Sequence, residues 1–373
     1  MKIIGLGVIA FLLFWLQRKV YERLWNRNLR VSVTFSQAGI TEGEEGQIVE
    51  VIENRKWLPL SMLKVKFQTS RNLEFADTQM NAVSDQYYRN DVFQIGGGER
   101  ITRTLTFTGR KRGYYRIKKI DLIGTDLFLT NEMLESMSTD CYLYVYPKLF
   151  DSRELRLSLQ KLNGEVLVKR HLLEDPFEYR GIRQYQPFDD IRSVNWKATA
   201  RTGSLMVNQK NFTAMQTVRI FLNVEDSGVW KKDMEVEASL QIVMGLAAFF
   251  LGQGIKVACY ANGKDVITGE AVRIEGGAGA GQQDVIGKAL ARIDTEKAPW
   301  SFAEYFSEAV LRDAKGTITL FVSPNGYEDF LLLLQHCEEE SLDYTWFYPY
   351  YGETKPKVPE HIAKNVQYLN VKR

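Results

Sequence analysis

The chain has 373 residues, too many for one compact core, so its length suggests two soluble units plus a short additional segment. Apolar residues make up 45% and charged residues 25%, ordinary globular values that exclude wholesale disorder. The formal net charge of +2 is nearly balanced, which excludes a general electrostatic grip on nucleic acid.

Ile3 to Leu16 is an unbroken apolar run. By itself it is shorter than the ~20 residues a helix needs to cross a bilayer, but a helix continuing through Val20 reaches that length. Trp15 would then sit in the interface and Lys19 could snorkel. A cleaved signal peptide is the competing reading. It wants small residues after the apolar core, where this chain has Trp15, Leu16, Gln17, Arg18 and Lys19. The expectation is therefore a single-pass anchor in the cell membrane, preferred also over a buried core helix. One lysine, Lys2, precedes the span, and Arg18, Lys19, Arg23, Arg27 and Arg30 follow it, which places the soluble part in the cytoplasm. Cys141, Cys259 and Cys337 agree: they are far apart, odd in number and fit a reducing compartment better than a disulfide framework.

From Leu29 to about Pro147 the pattern is β-rich. Val31, Val33 and Phe35 alternate with polar residues as in a half-buried strand. Ile48–Ile52, Leu63–Phe67, Ile101–Phe107, Tyr114–Ile123 and Cys141–Tyr146 are further strands, separated by turn material such as Gly43–Gly46, Gly96–Gly98 and Arg110–Gly113. Short strands without a strong helix predict a β-sandwich-like domain.

After about Phe212 the period changes. Val218–Val224, Lys256–Ala261, Ile318–Val322 and Asp343–Tyr348 read as strands. Met234–Leu251, Asp284–Arg292, Phe302–Ala314 and Tyr327–Glu339 read as helices between them. Such alternation predicts right-handed crossovers and a mostly parallel, doubly wound sheet covered on both faces. The expected division is an anchor helix with its basic flank over 1–27 and the β-sandwich-like domain over 28–150. A joining segment follows over 151–212, then the α/β domain over 213–373. The fold class is thus α/β plus all-β.

The joining segment is unlike a flexible linker, because Phe177, Tyr179, Tyr185, Phe188 and Trp196 are interleaved with charges of both signs. Arginine forks suit carboxylates, so Arg183, Arg192 and Arg201 are expected to pair with Asp189 and Asp190. Trp196, between Asn195 and Lys197, is expected to be buried. The run Phe177, Arg183-x-Tyr185, Pro187-x-Asp189-Asp190-x-Arg192 and Asn195-Trp196-Lys197-Ala198-x-Ala200-Arg201 resembles the signature of the bacterial domain-of-unknown-function 58 family. Arg112-Gly113-Tyr114-Tyr115, Asp126-Leu127-Phe128 and Val145-Tyr146-Pro147 resemble it too, so the likeness covers almost the whole chain. Phe188 stands where that family usually has glycine, and many members look double-spanning. The resemblance implies a von Willebrand A-like domain in the C-terminal half and association with MoxR-type AAA+ ATPases.

In von Willebrand A domains Asp-x-Ser-x-Ser after the first strand supplies hard oxygen ligands to a divalent cation. Here the corresponding residues are Asn223, Glu225 and Ser227, a degenerate set for which no metal or other cofactor is expected. Starting instead at Asp226 also fails to match, and the Ser323–Tyr327 loop brings no aspartate. Gly276–Gly281 lacks P-loop spacing and reads as a flexible loop at the sheet edge. His171, His336 and His361 form no catalytic constellation, and His336 beside Cys337 reads as helix filler. The expected function is therefore non-enzymatic: a membrane-anchored interaction or scaffold protein, adaptor or client of a MoxR-type AAA+ ATPase, with Arg183, Tyr185, Asp189, Asp190, Arg192, Trp196, Lys197 and Arg201 at a partner surface or interdomain junction. The alternatives are an enzyme acting on an envelope substrate through the central segment, and a structural component of a membrane complex.

Overall fold

The computed structural model of the chain describes residues 2–75, 81–83, 86–172, 174–185, 194–212, 217–226, 228, 231–312 and 317–371. They fall into two compact units, Met1–Lys148 with Leu290–Arg292, and Leu149–Ala289 with Ile293–Arg373.

The first unit begins with helix α1 (Lys2–Leu24), followed by β1 (Leu29–Phe35), β2 (Gly39–Thr41), β3 (Glu45–Asn54), β4 (Leu60–Ser70) and β5 (Leu73–Phe75). Then come β6 (Asn81–Val83), β7 (Gln86–Ile95), β8 (Arg100–Gly109), β9 (Gly113–Thr125) and β10 (Glu132–Tyr146). One sheet runs β1-β3-β8-β5 and the other β2-β10-β9-β4-β7-β6. All neighbours are antiparallel except β2, which lies parallel on β10 with Gly39 opposite Tyr144. Val31, Val33, Ile48, Ile52, Leu105 and Phe107 from the first sheet share one core with Leu63, Val65, Phe67, Ile117, Leu122 and Leu143 from the second. Two sheets facing each other over interdigitated side chains make a sandwich.

Two polar features interrupt this apolar picture. Glu50 on β3 is buried, as are Arg89 and Asp91 on β7. Arg89 Nε and Nη2 donate to the Asp91 carboxylate at 2.5 and 3.1 Å, and Arg103 Nη1 on β8 donates to it at 2.8 Å. The second feature is the end of α1. Its first turns, Ile3 to Leu16, are exposed, but Tyr21 and the following Trp25 belong to the sandwich core. Tyr21 Oη donates to the Pro59 carbonyl at 3.0 Å. The Trp25 ring lies so close to Gly124 that a Cβ there would come within 2.4 Å of it.

The second unit contains α2 (Arg153–Leu172), β11 (Glu174–Gln184), α3 (Trp196–Thr202), β12 (Met206–Phe212), β13 (Thr217–Leu222), α4 (Asp233–Gly252), β14 (Lys256–Asp265) and β15 (Ala271–Gly277). It continues with α5 (Ala280–Arg292, of which the last three residues group with the first unit), β16 (Ile293–Asp294), α6 (Phe302–Leu311), β17 (Ile318–Val322), α7 (Glu328–Glu339), β18 (Tyr344–Tyr350), α8 (Glu360–Ala363) and β19 (Val366–Asn370). Strands β11 and β12 form an antiparallel pair of their own. The main sheet has the order β15-β14-β13-β17-β18-β19, parallel except for β15 and the short β16, which both run antiparallel to β14.

Register aligns Tyr260, Phe221, Phe321 and Trp346 in one row. That row packs with Phe302 and Phe306 of α6 and Phe330 and Leu334 of α7. Alternate residues Ile220, Leu222, Leu320, Val322 and Phe347 are also buried and point to the other face, where α4 crosses the same strands. Helix α4 is as long and apolar as a membrane span, yet 61% of its most apolar window is buried, which is what a helix covering a sheet requires. None of the corresponding window of α1 is buried.

Several expected bounds shift. The first strand of the sheet stops at Leu222 rather than Val224, and the Val224 N–H is taken by the Asn262 side chain instead of a neighbouring strand. The Gly276–Gly281 stretch is not a loop: β15 runs through Gly277, and α5 starts at Ala280 after Gly279 takes φ +80°.

Candidate functional site

At β13 the strand order reverses, since β14 lies on one side of it and β17 on the other. In open α/β sheets the carboxyl ends of strands at such a point form a crevice where ligands bind. Here that crevice is rimmed by Asn223–Asp226 after β13, Asn262 within β14, and Ser323–Asn325 after β17.

The rim is held by side-chain bonds. Asn223 is buried, and its backbone N–H continues the sheet to the Val322 carbonyl at 2.9 Å. Its Oδ1 accepts from Glu225 N–H at 2.9 Å and from Asn262 Nδ2 at 3.0 Å. Asn262 Oδ1 in turn accepts from Val224 N–H at 2.9 Å, and its Nδ2 also reaches the Trp300 carbonyl at 2.9 Å. Glu225 Oε1 accepts from Phe302 N–H at 2.8 Å, satisfying one of the free donors at the start of α6. Burial raises the Glu225 pKa, while the Phe302 N–H and the nearby Asn223 amide oppose that rise.

Across the crevice Ser323 Oγ donates to the Asn325 carbonyl at 2.8 Å, and Asn325 Nδ2 donates to the Glu225 carbonyl. Asp226 Oδ2 accepts from Lys232 N–H at 2.8 Å, and Lys232 Nζ reaches the Pro324 carbonyl at 3.0 Å. Two buried oxygens at the rim, Asp226 Oδ1 and Asn325 Oδ1, have no hydrogen-bond partner.

Both lone pairs of Asn223 Oδ1 are occupied by N–H donors and one Glu225 oxygen caps a helix, so these side chains fasten the loop. Ser227 lies outside the described residues. Among the described residues no three His, Cys, Asp or Glu side chains converge as a metal site. Sequence reasoning passed over Asn262 and Lys232. The signal for Asn262 was a lone amide between the small residues Ala261 and Gly263 at the end of an apolar strand.

The signature residues are placed as follows. Arg183 lies on β11 opposite Val207, and Tyr185 is half-buried with its N–H on the Leu205 carbonyl at 2.8 Å. Asp189, Asp190 and Arg192 lie outside the described residues. Asn195 is the N-cap of α3, its Oδ1 accepting from Ala198 N–H at 2.9 Å, and Gly203 closes the helix in the left-handed region.

Trp196 corrects the expectation of burial: it is the first residue of α3 and is 66% exposed. The local reason is that this short helix docks through its flanks. Val194 bridges Val207, both buried, and Thr199 Oγ1 accepts from Met206 N–H at 3.0 Å. No residue of α3 is buried, and Lys197 and Arg201 are exposed with Trp196.

A recess of about 550 Å³ lies at the opposite ends of β17 and β18, lined in part by Lys161, Glu338, Tyr344 and Lys364. Glu338 there accepts from Tyr344 Oη and Asn365 Nδ2, both at 3.3 Å, and lies 3.7 Å from Lys364 Nζ.

No curated protein matches the chain. Solved structures resemble parts of it. The CARDB domain of a Pyrococcus furiosus protein is 13% identical over 31% of this chain and 94% of that one, with a TM-score of 0.20. A non-cellulosomal cohesin from Archaeoglobus fulgidus is 13% identical over 35% and 97%, with a TM-score of 0.22. The sporulation control protein Spo0M from Bacillus subtilis is 12% identical over 43% and 58%, with a TM-score of 0.20. Residues 181–270, which hold the end of β11, α3, the crevice loop after β13, and α4, match the model of the family described as Protein of unknown function DUF58.

Proposed function

We propose that the chain is a membrane-anchored, non-enzymatic interaction protein whose second unit is von Willebrand A-like and acts in the cytosol as adaptor or client of a MoxR-type AAA+ ATPase. The anchor reading is supported by the continuity of α1. A leader peptide cut after the apolar run would have to be cleaved inside a helix whose last turn places Tyr21, and just beyond it Trp25, in the sandwich core. The von Willebrand A-like reading is supported by the strand order and by helices on both faces of the sheet.

The observation that carries the interaction role is the exposed Trp196. A large aromatic ring flanked by Lys197 and Arg201 on a well-capped helix has the composition of an interface hot spot. The crevice loop, fastened to α6 and to β14, supplies a rigid polar surface on the same unit. The test is capture of the ATPase from solubilised membranes by the full chain. Trp196→Ala should lower capture by about tenfold or more, as for a residue contributing about 2 kcal/mol to binding. Its melting temperature should stay at the wild-type value, since the ring covers no core. Equal capture by both proteins would remove the role assigned to Trp196.

A further inference from the structure

The turn between β9 and β10 carries three consecutive exposed apolar side chains, Leu127 at 49%, Phe128 at 57% and Leu129 at 56%. Such a run on a soluble surface is unfavourable unless something covers it. The turn is also built to hold that display. Asp126 is buried, and its carboxylate accepts from Thr130 N–H at 2.7 Å and Thr130 Oγ1 at 2.6 Å. Leu129 has φ +58°, a conformation that leucine rarely adopts and that the closed turn imposes.

What stands beside the turn is α1. The Phe128 ring lies 5.7 Å from that of Phe14, inside the apolar run. Gln17 Nε2 donates to Asp126 at 3.2 Å, and Arg18 Nη2 reaches Asn131 at 3.4 Å. Apolar contact at Phe14 is thus followed, one turn further along α1, by polar contacts at Gln17 and Arg18. The turn repeats that order, with Phe128 beside Phe14 and its polar base beside Gln17. Lys19 and Arg18 pair with Glu22 one turn beyond.

We infer that Leu127, Phe128 and Leu129 form a second membrane contact, entering the leaflet from which α1 emerges and seating the sandwich on the bilayer. This rests on the reading of α1 as an anchor. If α1 spans, the lipid around Phe14 is the medium that Phe128 meets, because the two rings are neighbours. A turn with a buried polar base and an apolar tip partitions into the headgroup and upper acyl region as interfacial segments do. Trp57 is 74% exposed on the loop that Tyr21 holds through Pro59. Tyr21 lies about 10 Å further along the helix than Phe14, at the depth where tryptophan side chains favour the headgroups.

The test uses the full chain in phosphatidylcholine–phosphatidylglycerol vesicles, with an environment-sensitive fluorophore on Leu12→Cys or Leu127→Cys. The native cysteines are all buried, which leaves the introduced thiol as the reactive one. Nitroxide-bearing lipids should quench both probes, the one at 12 most with a deep nitroxide and the one at 127 most with a shallow nitroxide. Phe128→Asp should abolish quenching at 127 and leave it unchanged at 12. Quenching at 12 alone would overturn the second contact while leaving the anchor standing, and quenching at neither would overturn both. A blue-shifted but unquenched probe at 127 would show that protein covers the turn, and would also overturn the inference.

Discussion

At Glu50 a carboxyl group sits inside an apolar sandwich. Burial and the Asp91 charge push its pKa up to about 8, against the opposing pull of Arg89 and Arg103. In the unfolded chain a glutamate releases its proton near ~4.3. Between those values the native state binds more protons than the unfolded state. Stability should therefore fall as pH rises from about 5 to about 8, by up to about 1.4 kcal/mol per pH unit, and level off above. Glu50→Gln should flatten that fall and keep the Arg89–Asp91–Arg103 bonds. Unfolding midpoints from pH 5 to pH 8.5 for both proteins measure this, and parallel curves would contradict it. The position was legible, because period-2 alternation puts Glu50 on the same side of β3 as Ile48 and Ile52. Trp196 shows the opposite case: an aromatic residue among charges reads as core, but a short helix held by its flanking residues left the ring outside.

Helix α1 has two unlike parts, an exposed apolar run and a final turn that packs on the sandwich core. Its apolar run was plain in the sequence, but its final turn was not, because Tyr21 and Trp25 stand among Arg18, Lys19, Glu22, Arg23 and Arg27. That turn depends on Gly124, which lets the Trp25 ring lie against β9. Gly124→Ala would push a methyl group into a buried, rigid ring and should cost about 1–3 kcal/mol. Thermal unfolding in detergent micelles measures the loss, and an unchanged melting temperature would show that Trp25 is free to move aside. Of the sandwich strands, those with an apolar stripe were readable. The first part of β10, from Glu132 to Asp140, was not, because its half-buried side alternates Met133 and Met137 with Glu135 and Thr139 and so shows no continuous apolar stripe. Strand β19 is at a sheet edge and has few deeply buried residues, so it too left a weak trace.

For the whole molecule, the alternation of strands and helices after Phe212 was enough to foresee a mostly parallel sheet, since βαβ crossovers leave few other arrangements. The order of strands was not legible, and with it the crevice at β13, because pairing partners are set by packing across the sheet. On the anchored reading, five cations after the span against one before it put both units in the cytosol. A reporter fused after Arg373 should then be active only on the cytosolic side, and activity outside the membrane would reverse the topology. The parallel pairing of β2 with β10 has a temporal consequence. Gly39 cannot meet Tyr144 until almost the entire first unit has been synthesised, so the six-stranded sheet closes late and over a long loop. By then α1 has long left the ribosome. On the anchored reading, the sandwich therefore completes its folding with its N-terminal end already at a lipid surface, its unpaired edges beside a bilayer.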